Sequence, residues 1–91
     1  MTVRCEDIVF RGRVQGVGFR FTTRRVARGF SVAGWVRNEP DGSVRCVVEG
    51  DGDEVDRFVD AVRDAMRGNV AGIERQPAAD AGGFETFEIR Y

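Results

Sequence analysis

Hydrophobic and polar residues alternate over residues 7–14, DIVFRGRV, and this alternation predicts the first strand. Ile8, Phe10 and Val14 fall on one face of such a strand. The opposite face carries Asp7, Val9, Arg11 and Arg13. Because successive side chains of a strand point to opposite sides, we expect a half-buried strand with its first face toward the core.

Apolar positions three and four residues apart predict two helices. The first extends from about Phe19 to Arg28, and Gly29 is placed to help end it. The second follows the segment GDGDE, in which Asp53 is predicted as the N-cap. Its apolar stripe, at positions i, i+3, i+4, i+7 and i+11, comprises Val55, Phe58, Val59, Val62 and Met66.

A hairpin is predicted between the two helices. Residues 33–38, AGWVRN, and residues 43–50, SVRCVVEG, both have the character of strands. The segment NEPDGS joins them and is typical of a turn, because Pro40 presets φ and Gly42 allows a positive φ.

The segments after the second helix are predicted as a weak strand at residues 69–76, a loop at residues 77–83 and a final strand at residues 84–91. Phe87, Ile89 and Tyr91 share one face of the final strand. The order β-α-β-β-α-β, with one extra short strand near the end, predicts a ferredoxin-like α+β sandwich. We expect a single domain over residues 1–91, in which an antiparallel sheet carries two helices on one face.

The charge balance narrows the possible partners. Fourteen arginines stand against 15 aspartates and glutamates, which leaves a net charge of −1 and argues against binding to nucleic acid or a membrane surface. No apolar run reaches the roughly 18 residues of a membrane span. The charged N-terminus also lacks the apolar core of a signal peptide. We therefore expect a cytoplasmic protein, and a monomer.

The sequence contains no histidine, no lysine and no leucine. The first two absences exclude imidazole bases, Schiff-base lysines and histidine metal ligands. Any activity must therefore be built from the remaining residue types.

A glycine-rich stretch, GRVQGVGFR at residues 12–20, separates the first strand from the first helix. Backbone N–H groups converge at such a junction, and the helix dipole there favours an anion. Arg20 falls in the first helical turn, where a cation is unfavourable unless an anion is also present. The stretch contains no carboxylate. An anion site and a plain tight turn both remain possible, whereas P-loop and dinucleotide-binding spacings do not fit.

Two motifs resemble those of the acylphosphatase family. Residues 12–20 match its G-x-V-Q-G-V-x-F-R motif, and residues 34–44, GWVRNEPDGSV, match G-[WY]-x-x-N-x-x-[DS]-G-x-V. The resemblance implies a ferredoxin-like fold and hydrolysis of small-molecule acyl phosphates to a carboxylate and inorganic phosphate. It implies that Arg20 binds the phosphoryl group and that Asn38 positions the attacking water. If Arg20 and the loop N–H groups carry the charge, we expect no need for a metal or cofactor. Backbone N–H groups of the loop would assist Arg20, namely those of Gln15, Gly16, Val17, Gly18 and Phe19.

Other interpretations of these residues stay open. Taken alone, Asn38 is typical of a turn before Pro40. The family resemblance also admits a module acting on carbamoyl phosphate, as in hydrogenase-maturation carbamoyltransferases, or a domain that binds anions without turnover.

Three further patterns give weaker matches. Cys5 and Arg11 have the spacing of cysteine phosphatases, although the acids between them would repel phosphate. Residues 51–55, DGDEV, match the aspartyl-phosphate motif of haloacid dehalogenase-like enzymes, which also require a lysine. Residues 28–35, RGFSVAGW, partly match an RNA-recognition signature.

The two cysteines are predicted not to form a disulfide. Cys46 is in phase with the core-facing valines of its strand, whereas Cys5 is in phase with the opposite face of the first strand. Side chains on opposite faces cannot reach the Cβ separation of about 3.8 Å that a disulfide requires. Two thiols suit a reducing compartment.

Overall fold

The computed structural model describes residues 2–79 and 82–91, and it has the predicted order of elements with the extra strand. The two helices are α1, Phe19–Ala27, and α2, Gly52–Ala65. The five strands are β1, Val3–Gly12; β2, Val32–Asn38; β3, Val44–Asp51; β4, Val70–Pro77; and β5, Phe87–Arg90.

The strands form one sheet in the order β4-β1-β3-β2-β5. Every neighbouring pair is antiparallel except β2 and β5, which run parallel, so the prediction of a wholly antiparallel sheet is wrong at that edge. The reason is geometric. β4 runs opposite to β2 and therefore finishes at the end of the sheet where β2 starts. From that end the chain crosses to the other edge of the sheet. A strand starting at that end must run parallel to β2.

The connection from β4 to β5 corresponds to the loop predicted over residues 77–83. Residues 80 and 81 of that prediction lie outside the described residues. The loop is fastened where it approaches β5, because the N–H groups of Gly83 and Phe84 donate to the carboxylate of Glu49 on β3. Next to it, the N–H of Gly34 on β2 donates to the carbonyl of Thr86 at 2.9 Å.

Both helices pack on one face of the sheet, as predicted. The predicted core faces are confirmed, since Ile8, Phe10 and Val14 of the first segment are buried. Phe19 is buried too, and its ring centroid lies 5.0 Å from that of Phe10. Fully burying a side chain of this size contributes about 1.5–3 kcal/mol. The entire α2 stripe is also buried: Val55, Phe58, Val59, Val62 and Met66.

The helix ends differ from the sequence predictions. α2 starts at Gly52 rather than beyond Asp53, with Asp51 in the N-cap position and no side-chain cap bond. The first N–H of the helix is instead satisfied by the backbone just before β1, because the N–H of Gly52 donates to the carbonyl of Thr2 at 2.9 Å. α1 ends at Ala27, one residue before the predicted end, and Gly29 takes part in the turns that follow, because its N–H donates to the carbonyl of Val26 at 2.9 Å.

No disulfide joins the two cysteines, as predicted. Cys46 faces Ile8 across the β1–β3 pair and is fully buried, whereas Cys5 lies three positions further along, opposite Glu49. Burial raises the pKa of the Cys46 thiol, so it is protonated in the folded protein. Neither helix of the described chain is long and apolar enough to cross a membrane.

Candidate active site

The glycine-rich loop leaves the sheet at a fixed point. The β1–β4 register shifts between Arg11 and Gly12, and the N–H of Arg13 then donates to the carbonyl of Asn69 at 2.9 Å. The side-chain amide of Asn69 donates a hydrogen bond of 3.0 Å to the carbonyl of Arg13. Gly12 has φ +126°, and a Cβ there would lie 2.3 Å from the Asn69 carbonyl oxygen. Only glycine therefore allows this close approach.

We predict that Gly12→Ala destabilises the fold by about 2–4 kcal/mol, because it combines a forbidden φ with a backbone collision. Gly72→Ala is the matched control. Gly72 lies opposite Arg11 in the same pair of strands and has no positive φ, and a Cβ added there would meet no atom within 4 Å. For the control, urea unfolding should give a free energy of unfolding that is unchanged or slightly higher than that of the wild type. Equal losses in both variants would contradict this account of the loop.

The loop enters α1 through two left-handed glycines. Gly16 and Gly18 both have φ +76°, and a Cβ at either position would meet nothing within 4 Å. Glycine is therefore required there for its backbone conformation rather than for space. Left-handed residues beside a helix N-terminus form the kind of concavity in which successive N–H groups bind an anion.

The N–H groups of this loop are available for a ligand. Within residues 2–79 and 82–91, those of residues 15–20 donate to no protein acceptor, and the first helical bond runs from Thr22 to the carbonyl of Gly18. The first turn of α1 contains no acidic residue that would compete for them. The loop therefore combines unsatisfied donors with the positive end of a helix dipole.

A cavity of about 200 Å³ lies against this loop. It brings Arg20 together with Asn38, which comes from the end of β2, so the two predicted side chains of the site share one cavity. Gln15 and Val17 do not line it. Phe21 is not among the residues predicted from the sequence, although its side chain lies at the rim and is 62% exposed. The lining residues are Val14, Gly16, Gly18, Phe19, Arg20, Phe21 and Asn38.

Arg20 is half-buried at the start of α1. It forms no ion pair with any carboxylate in the described part of the chain, in contrast to Arg45, which is paired with Asp7, and Arg75, which is paired with Glu6. Its guanidinium carbon instead lies 4.8 Å from the ring centroid of Tyr91. No carboxylate of residues 2–79 and 82–91 therefore neutralises the positive charge of Arg20.

Asn38 is the last residue of β2 and pairs with Val44. Its side chain makes no hydrogen bond with the described residues, so it does not hold the turn that follows. That role belongs to Asp41, whose carboxylate accepts from the N–H of Ser43 at 3.0 Å and from its hydroxyl at 2.6 Å. These bonds lower the pKa of Asp41. The Asn38 amide remains available to a molecule in the cavity.

Gln15 connects the two halves of the site. Its side-chain Nε2 donates to the carbonyl of Glu39 at 2.7 Å and to that of Ser43 at 2.9 Å. The glycine-rich loop is thereby tied to the hairpin that carries Asn38. From the sequence, only the backbone of Gln15 is expected to take part.

Comparison with known proteins decides the family. The acylphosphatase family model matches residues 6–89. The chain is 49% identical over 82 residues to the acylphosphatase of Salinibacter ruber, which covers 87% of this chain and 84% of that protein. The chain belongs to the acylphosphatase family.

Two further acylphosphatases agree with this assignment. The protein of Archaeoglobus fulgidus is 41% identical over 86 residues, covering 93% of this chain and 96% of that one. The crystal structure of the acylphosphatase from Bacillus subtilis matches with a TM-score of 0.88 at 34% identity, covering 99% of this chain and 100% of that chain. The ferredoxin-like fold and the family resemblance predicted from the sequence are both confirmed.

The geometry argues against the weaker motif matches. Cys5 and Arg11 lie on one strand about 20 Å apart, since each strand residue adds roughly 3.3 Å, so they cannot share a phosphate. The acids of residues 51–55 occupy the N-cap position and the first turn of α2, and no group of acidic or thiol side chains in the described chain is arranged to hold a metal ion. Residues 28–30, which begin the RNA-recognition match, lie in the turn after α1 and not on a strand.

Proposed function

We propose that this protein hydrolyses acyl phosphates at the cavity between the glycine-rich loop and Asn38. The observation that carries the proposal is that one cavity is lined by Arg20, by Asn38 and by three loop residues, Gly16, Gly18 and Phe19, whose N–H groups donate to no acceptor among the described residues. In the described chain, no protein partner occupies these polar groups. Membership of the acylphosphatase family supports the same reaction.

Phosphate binding falls to Arg20 and the loop. The planar guanidinium donates two parallel hydrogen bonds to phosphoryl oxygens, and the N–H groups of Gly16, Val17, Gly18 and Phe19 surround the others. Phosphoryl transfer requires mainly positioning and stabilisation of charge on these oxygens. Donors fixed by the backbone stabilise that charge without reorganising during the reaction.

Asn38 supplies the position of the nucleophile. Its carbonyl oxygen accepts a hydrogen bond from a water and directs that water at phosphorus, opposite the departing carboxylate. An amide cannot accept the water's proton near neutral pH, and no carboxylate among the described residues lines the cavity. The proton therefore passes to an oxygen of the substrate's own phosphoryl group. The P–O bond to the acyl group breaks, and the acyl oxygen leaves as a carboxylate.

Hydrolysis assays test this function. Benzoyl phosphate and acetyl phosphate should be hydrolysed, and p-nitrophenyl phosphate should not, because its leaving group needs more assistance than the site offers. Carbamoyl phosphate distinguishes the alternative module, for which it would be the preferred substrate. Phosphate binding without turnover of any acyl phosphate would contradict the proposed function and favour an anion-binding domain.

We predict that activity needs no metal. Arg20 and the N–H groups already supply positive charge to the phosphoryl oxygens. Benzoyl phosphate hydrolysis should therefore proceed at an unchanged rate in excess EDTA. If chelation abolishes activity and Mg²⁺ restores it, this mechanism is wrong.

We further propose that residues 1–91 form one domain that acts as a monomer in the cytoplasm. The net charge of −1 supports the absence of nucleic-acid and membrane partners. Two thiols without a disulfide suit a reducing compartment. Size-exclusion chromatography with light scattering should give the mass of one chain at micromolar concentration, and a dimer mass would contradict the monomer.

A further inference from the structure

Tyr91 is an exposed aromatic residue with one specific contact. Its side chain is 91% exposed, and its ring lies 4.8 Å from the guanidinium carbon of Arg20. An aromatic ring attracts a cation over its face through its quadrupole. Burial in the core therefore does not explain the position of Tyr91, whereas its contact with the phosphate-binding arginine does.

Strand β5 brings Tyr91 to that position. β5 runs parallel to β2, with Arg90 opposite Arg37, so Tyr91 falls level with Asn38 at the end of β2 that faces the cavity. Phe87 anchors the strand, since its ring centroid lies 5.6 Å from that of Phe58 in the core. Tyr91 follows Arg90, the last paired residue, and lies on the same face of the strand as Phe87. At this position it contacts Arg20 of α1 and not the core.

We propose that Tyr91 is a positioning residue that holds the Arg20 guanidinium ready for phosphate. This inference rests on the phosphate-binding role of Arg20 under the proposed function. A carboxylate is the alternative means of holding an arginine side chain in place. Arg45 is held by the carboxylate of Asp7, which also neutralises its charge. An aromatic ring restricts the guanidinium without neutralising it and without occupying its N–H donors.

Competitive inhibition by inorganic phosphate tests the proposal. Tyr91→Ala should raise the inhibition constant of phosphate about two- to fivefold, the effect expected of an exposed cation–π contact. KM should rise by the same factor and kcat should change little, because a positioning contact to Arg20 acts on binding of the phosphoryl group. Tyr91→Phe keeps the ring and should restore wild-type values.

Two controls separate positioning from damage to the strand. Arg90→Ala changes the neighbouring residue, whose side chain lies on the other face over Trp35, at 5.1 Å, and pairs with Glu88. It should leave phosphate inhibition unchanged. In an Arg20→Ala background, Tyr91→Ala should cause no further loss of phosphate binding, measured by calorimetry. Urea unfolding of Tyr91→Ala should match the wild type because the ring is solvent-exposed.

The outcomes are distinguishable from failure of the proposed function. Tighter phosphate binding in Tyr91→Ala would show that the ring obstructs Arg20, and an unchanged constant would show that the contact is idle. Either result overturns the proposal. If the wild type binds phosphate without hydrolysing acyl phosphates, the proposed function fails. A weaker Tyr91→Ala complex, restored by phenylalanine, would still support the positioning role in that case. A wild type that does not bind phosphate overturns both.

Discussion

Replacing Arg20 by lysine is expected to reduce kcat/KM for benzoyl phosphate about a thousandfold, nearly as much as replacing it by alanine. Lysine keeps the charge but presents a point ammonium in place of a planar fork, so it cannot make two parallel bonds to the phosphoryl oxygens. Steady-state kinetics with both variants measure the loss. Inorganic phosphate should compete with the substrate in the wild type and should bind weakly to both variants.

Arg25→Lys is the matched control, because Arg25 is exposed on the same helix, away from the cavity. It should retain full activity. Arg20 is a cation at a helix N-terminus, so Arg20→Ala should leave the stability in phosphate-free buffer unchanged or slightly higher. If Arg20→Lys keeps most of the activity, the bidentate role of Arg20 is wrong.

Asn38→Ala is expected to lower kcat about a hundredfold while leaving phosphate affinity nearly intact. A misplaced nucleophile lowers the rate by roughly that factor. In the proposed mechanism, the loop on the other side of the cavity binds the phosphoryl group. Kinetics give kcat, and calorimetry with phosphate gives the affinity. Arg37→Ala, at the adjacent position on the outer face of the sheet over Trp35, controls for damage to the end of β2.

Asn38→Asp separates positioning from base catalysis. A carboxylate at this position preserves the shape of the side chain but faces a dianionic phosphate. We expect weaker phosphate binding and a slower rate, with both losses greatest at low salt. A kcat above that of the wild type would show that proton abstraction limits the reaction, against transfer to the substrate's own phosphoryl group. If Asn38→Ala unfolds the protein and Asn38→Asp does not, Asn38 is a turn residue.

The sequence predicts those parts of the fold in which the local pattern of residues favours the same conformation as the tertiary contacts. The apolar residues between Val55 and Met66 repeat with the helical period and therefore lie on one face of a helix. The sequence thus predicts which face of α2 packs against the core. The glycines at positions 16 and 18 are informative because their conformation excludes side chains. Together with Arg20 they leave an anion site and a plain tight turn both possible, and the resemblance to the acylphosphatase motif favours the anion site.

The remaining features depend on contacts between distant segments. Alternation in β5 shows which residues share a face but not which way the strand runs, and the parallel pairing with β2 follows from where β4 ends. Asp53 has the chemistry of an N-cap, yet pairing of Val3 with Asp51 extends β3 and moves the helix start. The side-chain bonds of Gln15 and the ring contact of Tyr91 likewise join segments that no local pattern relates.

The most direct test of the central claim is the fate of oxygen from water. In the proposed mechanism, a water positioned by Asn38 attacks phosphorus while Arg20 and the loop hold the phosphoryl group. Benzoyl phosphate should be hydrolysed in oxygen-18 water by the wild-type protein, with spontaneous hydrolysis subtracted, and both products analysed by mass spectrometry. The label should appear as one atom in inorganic phosphate, and the benzoate should be unlabelled. Label in the benzoate would show attack at the carbonyl carbon and contradict the mechanism.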